Sequence, residues 1–350
     1  MKARLSLEDT ALTGVSDVLQ RIRELAVQAG NSGLTYADRL AIAAEVKQSL
    51  DAVLSAANTT GNNGDYLFAG YQSTTIPFAQ SSSGGFTYAG DDGQRKVQVG
   101  SSLFVADSDP GSVVFRNIKN GNGTFQTAAA GNTMTPGPNL GSAVIDPGSV
   151  SGSFVPDTYT LAFTQVPLSN PPSFTYTVTN SAAAVIAGPT AYVDRAGIDL
   201  SAVGIKTSVS GTPADGDTFT LRTSTQQDVF QTIQNFVTAL QGNAPGTGGS
   251  AAAGQAAFQN ALNRVFTDLD QAMGNVLNTQ VQIGARLNTL DQQAASNDAY
   301  TLQLRATLSS LEDLDYAEAV SRMNLQLTGL QAAQQSFVRV QNLSLFNYLR

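Results

Sequence analysis

Three groups of carboxylates are the residues best placed to do chemistry: Asp91 with Asp92, Asp215 with Asp217, and Glu312 with Asp313 and Asp315. Two carboxylates facing each other in a cleft can divide general acid and general base work once their environments separate their pKa values. An Asp-x-Asp step can also open a calcium loop, but Asp215-Gly216-Asp217-Thr218 lacks the later bidentate Glu that such a loop uses. It reads as a β-turn, as do Asp91 and Asp92. Glu312, Asp313 and Asp315 read as a solvated helix face. Gly121-Asn122-Gly123 has neither the spacing nor the Lys-Ser/Thr pair of a phosphate loop. The chain has no His and no Cys. That removes thiol nucleophiles, His bases, Ser-His-Asp triads, disulfides and any metal centre built on His or Cys ligands. A Ser–Lys pair stays formally open among five lysines, with nothing to position one. No catalytic, cofactor-binding or metal-ligating residue is therefore expected.

The length of 350 residues gives two or three domains at roughly 150 residues each. Apolar residues make up 42%, enough for a proper core. Charged residues are 13%, about half the usual share. The net charge of -8 with no basic run makes a poor nucleic-acid partner, since little counterion release is on offer. No stretch approaches the ~20 apolar residues of a membrane span, and Met1 to Asp9 lack the apolar core of a signal peptide. An absence of Cys suits a protein that crosses membranes unfolded, and equally one that never needed a thiol.

Proline maps the elements. All 12 prolines lie between Pro77 and Pro245. Because proline breaks helix interiors at about 3 kcal/mol, the Pro-free ends predict helices and the middle predicts β structure. Leu12, Val15, Leu19, Ile22 and Ala26, then Ala43, Val46, Leu50, Val53 and Ala57, recur at helical spacing on either side of Gly30-Asn31-Ser32-Gly33. Two amphipathic helices follow, about 6–29 and 36–58. Toward the other end, Leu262, Leu269, Val276, Ile283, Leu290, Asn297, Leu304 and Leu311 are each seven apart, and Val320, Met323, Leu327, Leu330 and Phe337 make a second register. This is a coiled-coil seam, in which the lone Asn297 either fixes register or marks a local departure from pairing. A helix over about 255–345 would reach on the order of 135 Å, with Gly284 and Gly329 as candidate bends. A rod of that length needs partners along it. In the middle, Tyr159, Leu161 and Phe163, then Phe174, Tyr176 and Val178, then Phe219 and Leu221, alternate with small polar residues as half-buried strands do. Phe86 with Tyr88 and Val97 with Val99 flank Gly90-Asp91-Asp92-Gly93, a hairpin signal. The Gly-, Asn- and Ser-rich stretch 116–157 is expected to be loosely ordered. Gln227 to Leu240 reads as a short helix, and 242–254 as a flexible loop.

The expected fold class is α+β: an elongated antiparallel helical bundle, a coiled-coil rod formed by both chain ends, with an inserted β-rich, sandwich-like domain. The segments are 1–115 (helices and hairpins), 116–222 (inserted β domain), 223–310 (helices of the rod) and 311–350 (an assembly helix). Chain ends are normally polar and frayed, yet apolar residues crowd this one. An apolar helical end marks an interface, unless it folds back on its own core. A membrane-surface helix fits less well, with only Arg339 and Arg350 to meet headgroups there. The candidate partner-binding residues are Leu290, Leu304, Leu311, Val320, Met323, Leu327, Leu330, Phe337, Val340, Leu343, Leu345 and Phe346.

Several segments resemble one known family. Arg21-Ile22-Arg23-Glu24-Leu25-Ala26-Val27-Gln28 resembles a signature of bacterial flagellins and their relatives. Gly64-Asp65-Tyr66-Leu67-Phe68-Ala69-Gly70, Ser210-Gly211-Thr212-Pro213-Ala214-Asp215-Gly216-Asp217, Glu312-Asp313-Leu314-Asp315-Tyr316-Ala317-Glu318-Ala319 and Leu343-Ser344-Leu345-Phe346-Asn347-Tyr348-Leu349 are similar to its hook-associated protein 3 branch, the hook–filament junction proteins. The resemblance implies a flagellin-like fold and a structural role without catalysis: a ring of identical subunits between hook-associated protein 1 and flagellin. It also implies export through the flagellar type III apparatus, an export chaperone on the C-terminal helix, and an extracellular place in the flagellum without membrane insertion. Family members carry several dozen residues before the counterpart of Leu5, so the C-terminal helix is expected here without its usual partner. A flagellin-type filament subunit is the alternative, and a secreted enzyme or adhesin carried by 116–222 a more distant one.

Overall fold

A computed structural model describes residues 1–31, 33–82, 84–242, 250–312 and 315–342. The chain divides into two compact units, Met1–Leu290 and the residues from Asp291 onward. Among the described residues five α-helices form: α1 (Lys2–Ala29), α2 (Tyr36–Ala57), α3 (Val229–Gln241), α4 (Ala251–Glu312) and α5 (Tyr316–Asn342). Thr35 and Asp38 open α2 as a reciprocal capping box, each side chain accepting from the other's backbone N–H. Asp228 opens α3 by accepting from the N–H of Gln231 at 2.6 Å.

The single helix expected over 255–345 is two helices. Gly284 and Gly329 lie inside them without interrupting either, because a helix-interior Gly costs only about 1 kcal/mol. The new start is set by Asp315. Its carboxylate accepts from the N–H groups of Ala317 at 2.9 Å and Glu318 at 3.2 Å, capping α5 rather than lying on a helix face.

In the first unit the apolar stripes of α1, α2, α3 and α4 close on one core. Leu12, Leu19 and Ile22 of α1 and Leu262, Leu269, Val276 and Ile283 of α4 are all at most 2% exposed. Gln259 meets the Gly30 carbonyl, Arg23 pairs with Asp270 at 2.9 Å, and Gln280 donates to Thr13 at 3.0 Å. One number falls as the other rises, so α1 and α4 run antiparallel, and the opening turn of α1 lies level with Leu287 and Leu290. A cluster of rings closes the core on its other side. Phe115 lies 5.1 Å from Phe68 and 5.6 Å from Phe78, and Phe230 of α3 lies 5.0 Å from Phe78.

Fifteen short strands fill the middle. Four of them, β1 (Phe78–Gln80), β2 (Phe86–Tyr88), β3 (Lys96–Gln98) and β4 (Phe104–Ala106), make two hairpins, β1 with β2 and β3 with β4. The hairpin expected across Gly90–Gly93 does not form. Asp91 Oδ1 instead takes the N–H groups of Tyr71 and Gly93, both at 2.8 Å, and ties that turn to the preceding loop. The next strands are β5 (Ile118–Lys119), β6 (Phe125–Asn132), β7 (Val144–Ile145), β8 (Ser149–Val150), β9 (Thr158–Gln165), β10 (Phe174–Thr179) and β11 (Val185–Ala191). The last are β12 (Gly197–Leu200), β13 (Ile205–Ser210), β14 (Asp217–Thr223) and β15 (Gln226–Gln227). An antiparallel sheet of order β11-β10-β9-β14-β6 faces a smaller one of order β12-β13-β7, in which β8 also pairs with β13. Tyr159, Leu161, Phe163, Val178, Phe219 and Leu221 from the first meet Ile145, Leu200, Ile205 and Val209 from the second in a shared core. This is the sandwich that alternating residues predict.

The stretch 116–157 is not loose. Asp217, fully buried, accepts from Asn132 Nδ2, Leu140 N, Gly141 N and Ala214 N at 2.8–2.9 Å. Asp146 accepts from Thr207, Ser208 and Gly148. Two carboxylates thus gather the backbone donors that a Gly-rich segment cannot pair in a ladder. Asp215 and Asp217 do form the expected turn, with Gly216 at φ +81°, and Asp217 is also its structural anchor.

Phe230→Ala is expected to lower unfolding stability by about 3–5 kcal/mol, while the exposed Phe104→Ala changes it by no more than ~0.5 kcal/mol. Urea midpoints of the two variants check this.

Candidate functional site

The seam that α1 covers in the first unit continues in the second. Leu290 is half-buried and packs against the bundle core. Past it, every described residue whose burial is given, up to Gln341, is exposed apart from Gln293 and Ala319. Leu304 (52%), Leu311 (79%), Val320 (48%), Met323 (54%), Leu327 (48%), Leu330 (57%), Phe337 (63%) and Val340 (66%) stand open. Leu343, Leu345 and Phe346 lie outside the described residues.

Leu304, Leu308 and Leu311 share one face of α4, and Val320, Met323, Leu327, Leu330 and Phe337 share one face of α5, by their spacing of three, four and seven. Covering such a side chain fully is worth roughly 1.5–3 kcal/mol. What α5 has of its own is small by comparison: the exposed Glu318–Arg322 pair, four residues apart, adds about 0.3–0.5 kcal/mol. Asn297 is exposed and accepts from Gln293 Nε2 within its own helix at 2.9 Å. The arrangement can pair with helices that carry a matching apolar row.

A polar clasp ties down the last covered turns of α4. Arg286 donates from both terminal nitrogens to the Asp109 carboxylate, at 2.7 and 2.9 Å, the strongest geometry for such a pair. Gln94 Nε2 also donates to Asp109 Oδ1 at 2.8 Å, and the Asp109 N–H donates to Glu8 Oε1 at 2.9 Å. Glu8 sits in the apolar stripe of α1 and is fully buried, with Oε2 unpartnered. Burial pushes its carboxyl up to about 8, the Asp109 charge adds to this, and Arg286 and Arg4 offset part of it. Near neutrality Glu8 is therefore largely protonated, and Asp109 and Arg286 form a balanced pair. The reading of the sequence passed over all three residues. The signal was there in Glu8, a carboxylate at a seam position, three residues after Leu5 and four before Leu12.

Among the described residues no group of three or more His, Cys, Asp or Glu could hold a metal ion, and no helix is long and apolar enough to cross a membrane.

Comparison with known proteins agrees with this layout. The bacterial flagellin N-terminal helical region matches residues 2–73, and the bacterial flagellin C-terminal helical region matches residues 266–349. Flagellar hook-associated protein 3 of Escherichia coli is 25% identical over 344 residues, which is 98% of this chain and 76% of that protein. The crystal structure of flagellar hook-associated protein 3 from Legionella pneumophila superposes with a TM-score of 0.81 at 33% identity, covering 90% of this chain and 93% of that one. Xanthomonas campestris FlgL gives 0.77 at 33% identity, with 88% and 94% covered.

Helical ends that match both terminal regions of flagellin, around a β-rich insert, define a flagellin-type structural component of the flagellum. Within that class the chain belongs to the flagellar hook-associated protein 3 family.

The clasp sets a pH dependence. Glu8 titrates near 4.5 when free and near 8 when folded, so between those values the native state holds a proton that the unfolded chain releases. Stability from this group is therefore lost as pH rises through that window, by up to about 1.4 kcal/mol per unit. Glu8→Gln is expected to unfold at higher urea than the parent by a margin that grows with pH and levels off above about 8. Urea melts across the window read that margin.

Proposed function

We propose that this protein forms the ring of identical subunits at the hook–filament junction, seated between hook-associated protein 1 and flagellin, on which the filament polymerises. The observation that carries the reading is the uncovered apolar row of α4 and α5, whose exposed residues include Leu304, Leu311, Leu327, Leu330 and Phe337. Family membership supplies the setting. Exposed heptad rows suit lateral and axial packing of helices from neighbouring subunits into a tubular wall. In this reading residues 116–222 are an outward-facing module and 311–350 the assembly helix. An export chaperone covers that helix before secretion through the flagellar type III apparatus, and the assembled protein is extracellular. The role is structural, and no catalysis is assigned to it. Packing rather than ion pairing holds the seams, so assembly should respond only weakly to salt.

Deleting the gene tests this, with electron microscopy of the cells and an immunoblot of the medium. Bare hooks with abundant unassembled flagellin outside the cells are expected. Bare hooks with no flagellin in the medium would make the chain a filament subunit, and intact filaments would exclude both. Complementation with Leu327→Asp/Leu330→Asp is expected to leave filaments absent, although the purified variant keeps the melting curve of its first unit. Normal motility with that variant would remove the exposed row from the mechanism.

A further inference from the structure

The chain passes between the helical bundle and the β sandwich twice, through β5 and through β15. These pair with each other over two residues, Lys119 with Gln226 and Ile118 with Gln227. Asn120 reinforces the crossing, since its Oδ1 accepts from Thr225 N at 2.9 Å and its carbonyl accepts from Ser224 Oγ at 2.6 Å. A ribbon this short is by itself a hinge. The sandwich also has a second attachment, made by α4.

Asn260 of α4, 5% exposed, uses its side-chain amide as a strand would use a peptide group. Oδ1 accepts from the N–H of Ile145 at 3.0 Å and Nδ2 donates to the carbonyl of Ala143 at 3.1 Å. Asn263 Nδ2 donates to the carbonyl of Ile145 at 3.1 Å. β7 pairs with β13 on one side only, and these amides satisfy its open edge. Two turns further on, Asp268 Oδ1, also buried, accepts from the N–H of Gly121 at 2.6 Å. Gly121 has φ +62°, and a Cβ there would stand 2.4 Å from the Phe125 carbonyl, so this tight turn into β6 requires glycine. The anchors at Asn260 and Asp268 are about 12 Å apart along one rigid helix. Asn275, further along α4, donates to the carbonyls of Val113 and Val114 just before the crossing.

We infer that the polar side chains of α4, the amides of Asn260 and Asn263 and the carboxylate of Asp268, clamp the β sandwich at one fixed angle on the helical bundle, so that the two move as one body instead of swinging on their connecting ribbon. Two anchors set apart along one helix resist rotation that a single ribbon would allow, and hydrogen bonds to backbone groups fix direction as apolar contact does not. The inference holds whatever the protein assembles with, and a test on the purified full chain is independent of the junction role.

The absence of cysteine makes the test clean. Spin labels on Val27→Cys in α1 and Val193→Cys in the sandwich, both exposed in the parent, report the angle by pulsed EPR. Labels on Leu168→Cys and Val193→Cys report the interior of the sandwich alone. One narrow distance peak is expected for both pairs in the parent. In Asn260→Ala/Asn263→Ala the first pair should broaden severalfold while the second stays narrow, which a merely unfolded sandwich would not do. Asn260→Asp keeps the acceptor for Ile145 and loses the donor to Ala143, so it should lie between. If the double variant does not fold, Asn263→Ala alone, at a half-buried side chain, gives the same reading in smaller measure. A broad first-pair distribution in the parent, or an unchanged one in the folded variants, would overturn the clamp.

Discussion

The apolar row of α4 is the interaction on which the rest of the structure depends. At 62 residues this helix is roughly 93 Å long, and most of the stability of such a helix comes from packing of its amphipathic face. From Leu262 to Ile283 the stripe is buried against α1 and the rest of the bundle. From Leu304 to Leu311 the same row of leucines is bare. The chemistry of the row does not change between these stretches. What changes is the cover: the first stretch is packed against the bundle core and the second is exposed. One hydrophobic pattern thus runs through both stretches, its first part covered within the bundle and its second part exposed. Ion pairs could not do this work. Arg21 with Glu24 and Glu45, and Arg23 with Asp270, are about half-exposed, and solvent-screened pairs of that kind add little stability.

How much of this was legible in the sequence follows from the range of each interaction. The helices were legible because Leu12, Val15, Leu19 and Ile22 repeat within single turns and because proline is confined to the middle. The strands were legible where Tyr159, Leu161 and Phe163 alternate. The break between α4 and α5 was only partly legible: the apolar row changes register between Leu311 and Val320, no Pro or Gly stands between them, and Asp315 is a capping residue in the place of a helix-face acid. Gly284 and Gly329 misled because a helix-interior Gly costs only about 1 kcal/mol. The Gly90–Gly93 hairpin failed because turn chemistry is local, whereas Asp91 bonds to Tyr71, twenty residues back. The looseness expected for 116–157 came from composition, and composition does not register that Asp146 and Asp217 each collect several donors.

The candidate surface divides in the same way. That Leu327, Leu330 and Phe337 make one apolar face is written in their spacing, because apolar burial is non-directional and needs only the right period. The clasp and the clamp are written in single residues that break the pattern around them. Glu8 interrupts an apolar stripe. Asn260, Asn263, Asp268 and Asn275 are polar side chains set along α4 beside its leucines, and a search for hydrophobic period passes over them. Both devices act on backbone groups or charges far away in sequence, Asp109 for one and Ala143, Ile145 and Gly121 for the other, and no local rule names those partners.

α4 thus carries two sets of side chains that differ in what they can specify. An apolar row gains about the same from a neighbouring helix across small shifts and rotations, since its free energy follows buried area. Amides lose their bonds once the angles fall far from straight. Putting the amides between bundle and sandwich and the bare leucines on the outside makes the subunit stiff within and adaptable at its edges. A subunit that must meet unlike neighbours on its two sides, as the junction role requires, needs that division. An interface specified by directional bonds would fit one neighbour and refuse the other, whereas apolar rows can settle against both without the subunit itself changing shape.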